Sequence, residues 1–111
     1  MDTTIQEAAS WFEKRYHIQL PPIYLNKSIE FSHYARNGKY GCLKGDWHIC
    51  LSVRQQQEYG LLAFFHEAEH ILLNRDIGRI VQDDEPDVEA LVTEKAKADL
   101  KAFKSRYTHA T

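Results

Sequence analysis

Residues 61–73 read LLAFFHEAEHILL, an apolar run interrupted by two histidines and two glutamates. At about 100° per residue, the apolar side chains of this run point to nearly every side of a helix. The pattern therefore predicts a helix from Gln55 to about Asn74 that lies in the centre of a domain. Its four ionisable side chains need polar partners, because burying such groups alone is costly.

The segment before this helix predicts a helix followed by a sheet. Apolar residues at helical spacing indicate a first helix from Thr4 to about Tyr16, which Pro21-Pro22 prevents from continuing. Short β-prone pieces separated by turn residues then predict a small, mostly antiparallel sheet built from hairpins. Its expected strands are Ile29–Phe31, Lys39–Leu43 and Trp47–Val53.

The segment after the central helix predicts one more helix. It is expected from Glu85-Pro86 to about Lys104, with Pro86 at the first helical position, where proline is favoured. The 111 residues are a normal length for one domain. We therefore expect an α+β fold in which residues 1–111 form a single domain, with the two later helices sharing a functional site.

The composition favours a globular protein without a nucleic-acid or membrane partner. Hydrophobic residues make up 43% and charged residues 27%, and the formal net charge is −2. Such a charge offers no basic field to nucleic acid, and no apolar run approaches the ~20 residues of a membrane span. The N-terminal residues lack a secretory signal, and the cysteines, Cys42 and Cys50, are expected to be reduced. These features predict a cytoplasmic location.

His66, Glu67 and His70 form the motif H-E-x-x-H, which carries a specific chemistry. Two histidines four residues apart on a helix project from one face and can bind a single Zn²⁺ ion. Glu67 stands one residue aside, where a base can take a proton from a water molecule at the metal. The motif therefore predicts His66 and His70 as metal ligands and Glu67 as the catalytic base.

A catalytic zinc site usually takes three protein ligands, and the last helix offers three acidic residues. Glu89 falls within the apolar stripe of that helix, where a carboxylate needs a partner such as a metal ion. Asp87 lies on roughly the opposite face, and Glu85 stands at the frayed start of the helix. Glu89 is the predicted third ligand, and Glu85 is the alternative.

The motif and its surroundings resemble the gluzincin metallopeptidases, and among them the ImmA/IrrE-type family or a minimal single-domain gluzincin. The resemblance covers about residues 40–100 and includes Asp87-Val88-Glu89-Ala90, which matches the Glu-x-Glu-Ala of the family's next helix. It implies His66, His70 and Glu89 as zinc ligands. Glu69 is a departure, since this position is often glycine in the family.

The resemblance implies a zinc-dependent endopeptidase that acts on a peptide or protein, with a transcriptional regulator or repressor among the candidate substrates. A substrate strand is expected to pair with an edge strand around His48–Val53. Tyr59, His33 and His48 are candidates for a second catalytic donor. The alternative is a catalytically silent metal-binding or protein-interaction module of the same fold.

Overall fold

The computed structural model describes residues 4–26, 33–35, 48–52, 57–78 and 86–109. Three helices take up 13, 21 and 24 of these residues: α1 (Thr4–Tyr16), α2 (Gln57–Ile77) and α3 (Pro86–His109). Three short strands contribute four, three and five: β1 (Ile23–Asn26), β2 (His33–Ala35) and β3 (His48–Ser52). The described protein is mostly helical, and the expected α+β class with a small, mostly antiparallel sheet is therefore wrong.

The strands also pair differently from the hairpins that were expected. β3 runs parallel to β1, with Ile23 opposite Ile49, and antiparallel to β2, with Tyr34 opposite Ile49. Turn residues can indicate neighbours in a hairpin, but they carry no signal for a parallel pair whose strands are far apart in sequence. Of the expected strands, Trp47–Val53 corresponds to β3, whereas Ile29–Phe31 and Lys39–Leu43 lie outside the described residues.

The position of β3 between β1 and β2 corrects the expected docking of a substrate strand. The backbone of β3 is already engaged on one side along residues 49–52 and on the other along residues 48–50. A peptide therefore cannot add to β3 at Ile49 and Cys50 without displacing a neighbouring strand. Among the described strands, β1 and β2 are the outer ones.

The helices supply most of the hydrophobic core, and Phe65 of α2 lies at its centre. The ring of Phe65 contacts Trp11 at 5.7 Å between centroids, Phe64 at 5.2 Å and Phe103 at 5.8 Å. It thereby joins α2 to both α1 and α3. Among the described strand residues, Ile49 and Leu51 enter the core, so α2 has apolar neighbours on several sides as its sequence predicts.

Helix α1 ends where expected, in a left-handed turn at a residue other than glycine. His17 has φ of 53°, and the Ile18 amide donates to the Glu13 carbonyl oxygen at 3.2 Å. This is the hydrogen bond of a Schellman motif, which satisfies a carbonyl at the end of a helix. Arg75 of α2 donates to the carbonyl oxygens of Tyr16 and His17 at 2.9 and 3.0 Å. The last turn of α2 therefore fixes the end of α1.

Helix α2 ends at a glycine, and α3 begins at a proline. Gly78 has φ of 84°, and its amide donates to the Asn74 carbonyl oxygen at 2.9 Å, which closes α2. Pro86 is the first residue of α3, as predicted, but α3 continues to His109, beyond the expected end near Lys104. None of the described helices combines the length and hydropathy that crossing a bilayer requires.

A matched pair of leucines tests the core. Leu72 is 5% exposed inside α2, whereas Leu91 is 46% exposed on α3. Leu72→Ala is expected to lower the free energy of unfolding by about 2–5 kcal/mol, because it leaves a cavity. Leu91→Ala is expected to change it by less than about 0.5 kcal/mol. Urea unfolding monitored by circular dichroism measures both, and equal losses would contradict the described burial.

Candidate metal centre

The two histidines of the motif project from the same side of α2. His66 and His70 are one helical turn apart, and their ring centroids lie 5.0 Å from each other. Their Nε2 atoms are separated by 3.2 Å. The two rings therefore present the same nitrogen to a shared space, as i and i+4 side chains on a helix do.

Glu89 of α3 completes this space from the facing helix. Its Oε1 lies 2.8 Å from the Nε2 of His70, and its Oε2 lies 3.1 Å from the Nε2 of His66. The residue occupies the first turn of α3, shortly after Pro86, where a negative charge is also favoured by the helix dipole. The carboxylate thus lies within reach of both imidazole Nε2 atoms across the interface between α2 and α3.

These three side chains form a group that can hold a metal ion. A tetrahedral zinc ion with ligands at about 2.0–2.2 Å separates neighbouring ligand atoms by roughly 3.3–3.6 Å. The two Nε2 atoms, 3.2 Å apart, and the pair of His70 Nε2 with Glu89 Oε1, 2.8 Å apart, are slightly closer than this. With one ligand atom taken from each residue, all three atoms lie within 4.8 Å of one another. Two imidazoles and a carboxylate are also a donor set that zinc accepts.

Two members of the group are open to solvent, and one is not. The side chains of His66 and Glu89 are 26% and 37% exposed, whereas that of His70 is 6% exposed. A cation can therefore reach the group from the side of His66 and Glu89. His70 is buried, as are its sequence neighbours Glu69 and Ile71.

The structure describes the other predicted site residues only in part. Glu67 lies half-buried on α2, directly after His66. Asp87 is exposed on α3, in agreement with its predicted position away from the metal group. Glu85 lies outside the described residues. Tyr59 is a residue of α2, and His33 and His48 belong to strands, but the described side chains do not include theirs.

A second polar cluster, formed by Glu69, Asp99 and Tyr16, lies between the helices and was not predicted from the sequence. Glu69 and Asp99 are only 2% and 3% exposed, and the two carboxyl groups meet between α2 and α3. The hydroxyl of Tyr16, from α1, donates to Asp99 Oδ1 at 2.5 Å. A signal for Asp99 was present, because it interrupts the apolar spacing of Val92, Ala96 and Phe103 on α3.

The cluster raises the pKa of two of its members. Burial, followed by the hydrogen bond to Asp99 and the charge of Asp99, raises the pKa of Glu69 to about 8. Asp76 acts in the same direction, whereas the positive charge of Lys95 lowers the pKa of Glu69. Burial and the hydrogen bond to Asp99 raise the pKa of Tyr16 to about 12. Oδ2 of Asp99 is buried without a hydrogen-bond partner among the described residues.

Comparisons of the chain with protein-family models, with curated proteins and with solved structures find no match. The assignment of the site consequently depends on its own geometry and chemistry.

The third ligand can be tested with two neighbouring acids of α3. Purified wild-type protein is expected to hold about one zinc ion per chain. Glu89→Ala is expected to weaken zinc affinity by more than about 100-fold, because it removes a ligand. Asp87→Ala is the control and is expected to change it little, since Asp87 is exposed. Competition with a chromophoric chelator measures both affinities, and equal effects of the two variants would remove Glu89 from the ligand set.

The raised pKa of Glu69 predicts a pH dependence of the metal-free protein. Between pH 4.5 and about 8 the folded state keeps a proton on Glu69 that the unfolded state has released. The resulting stabilisation of the folded state is fully present below pH 4.5, the ordinary pKa of a glutamate. It is lost as the pH rises through about 8, the pKa of Glu69 in the folded protein. The slope is at most about 1.4 kcal/mol per pH unit.

Urea unfolding of wild type and Glu69→Gln across about pH 5 to 8 measures this dependence. Glutamine keeps a donor for Asp99 but has no proton to lose, and both proteins retain the same histidines. Wild type is therefore expected to lose more stability than the variant over this range. Parallel curves would show that Glu69 is not the group that holds the proton.

Proposed function

We propose that this protein is a zinc-dependent peptidase in which His66, His70 and Glu89 hold the metal. The observation that carries the proposal is the convergence of these three side chains from α2 and α3 within 4.8 Å of one another. Glu67 follows His66 in the same helix, so the group belongs to the H-E-x-x-H motif. Histidine pairs that only stabilise a fold have no need of a glutamate at this position.

In the proposed hydrolysis, the metal and Glu67 have different roles. Zinc at this position supplies a Lewis acid that polarises a carbonyl oxygen and lowers the pKa of a water molecule. Glu67 takes a proton from the attacking water and returns it to the nitrogen of the departing amine. The peptide bond between carbonyl carbon and nitrogen breaks, and the products are a carboxylate and an amine. The half-exposed His66 and Glu89 leave the substrate access from solvent.

The proposed substrate is a peptide or an unstructured protein segment, since an extended chain can reach a centre that opens on the surface of α2 and α3. A transcriptional regulator or repressor as the substrate is an extension supported by the family resemblance alone. The cytoplasm is the proposed compartment. The composition and the presence of only two cysteines, which are expected to be reduced, are in keeping with it.

The substitution Glu67→Gln separates catalysis from metal binding. It is expected to leave zinc content and unfolding unchanged and to slow cleavage by at least about 100-fold, because an amide cannot accept the water proton. Hydrolysis of a fluorescently labelled, unstructured protein measures the rate. Glu94→Gln is the matched control. It makes the same chemical change as Glu67→Gln, but at an exposed position of α3.

Two outcomes would contradict the proposal. Equal cleavage by wild type and Glu67→Gln would exclude Glu67 as the base. Zinc binding without cleavage of any unstructured substrate would favour the alternative, a silent metal-binding or protein-interaction module.

A further inference from the structure

Helix α3 must be held accurately if the metal group is to form. Glu89 lies in the first turn of α3, and the ends of helices fray more readily than their interiors. Apolar packing against α2 is non-directional, so by itself it tolerates small rotations and shifts of α3. A metal site, in contrast, needs its ligands within about half an ångström of their working positions.

Asp99 supplies a directional contact at a second point of α3. It lies ten residues after Glu89, which corresponds to about 15 Å along the helix axis. Glu69, its partner on α2, is the residue directly before His70. Contacts at two separated points restrict both the sliding and the rotation of one helix on another. The Glu69–Asp99 contact is therefore suited to fix the position at which Glu89 meets His70.

Tyr16 ties this contact to α1. Its hydroxyl donates to Asp99 Oδ1, which joins α1 to α3. Asp99 also interacts with Glu69 of α2, so the buried group includes one residue from each helix. Interior polar groups are costly compared with apolar side chains of the same size, and stability alone gives no reason to bury them. Directional hydrogen bonds, unlike apolar contacts, set the rotation of a helix.

We propose that Tyr16 and Asp99 are positioning residues for the metal centre, acting through Glu69 and the α2–α3 interface to place His70 and Glu89. The proposal depends on the metal site proposed above and adds to it a determinant of metal affinity that lies outside the ligand set.

The test compares metal binding with stability in variants that change one group. Tyr16→Phe removes only the hydroxyl, and Asp99→Asn keeps the size of the side chain. Both are expected to weaken Zn²⁺ affinity by about tenfold, the lower end of the effect seen when a direct hydrogen-bond partner of a ligand is lost, because these two residues act indirectly. Both are also expected to shift the visible absorption of bound Co²⁺, which reports the geometry of the ligands. The free energy of unfolding of the metal-free proteins is measured in parallel.

Glu7→Gln is the control, because Glu7 also joins α1 to α3, through Arg106 at 3.0 Å, but lies at the protein surface. It is expected to leave Zn²⁺ affinity and the Co²⁺ spectrum unchanged. The proposal is overturned if Tyr16→Phe and Asp99→Asn lose stability but keep the affinity and spectrum of wild type. It is also overturned if Glu7→Gln changes the spectrum as much as they do, or if neither variant folds. If wild type itself does not bind Zn²⁺, the proposed metal site is wrong as well. Zn²⁺ binding by wild type therefore distinguishes failure of the positioning proposal from failure of the metal site.

Discussion

The burial of α2 is the constraint on which the rest of the molecule depends. This helix contacts α1, α3 and β3, and its apolar side chains fill most of the space between them. The same helix carries two histidines and two glutamates within five residues, from His66 to His70. Because these groups cannot all reach water, other helices must provide their partners. Glu89 and Asp99 of α3 are two such partners. Glu89 contacts His66 and His70, and Asp99 interacts with Glu69.

The sequence predicts the helices and the grouping of His66, His70 and Glu89, because both follow largely from local periodicity. A run with apolar residues on all sides identifies α2, and a spacing of four places His66 and His70 on one face. Glu89 could be chosen over Asp87 because a carboxylate within an apolar stripe requires a partner. These inferences need only the geometry of a single helix and the cost of burying charge.

The remaining features depend on contacts between distant segments, and here the sequence is less informative. The pairing of β1 with β3 has no local signal, so the antiparallel hairpins and the α+β class were wrong. The partnership of Glu69 with Asp99 was missed for a similar reason. Each residue could be recognised as a polar interruption of an apolar pattern, but the identity of its partner depends on how α2 lies on α3.

The contacts of α1 with α3 also have a consequence for how the chain folds. Tyr16 and Asp99 are 83 residues apart in sequence, and Glu7 and Arg106 are 99 apart. Contacts of such long range slow folding, because the loop must be closed before they contribute. During synthesis, α1 can pack against α2 first, but its contacts with α3 form only after α3 has emerged from the ribosome. Until then the apolar surfaces of α1 and α2 that pack against α3 remain uncovered, and exposed apolar surface of this kind promotes aggregation of an incomplete chain.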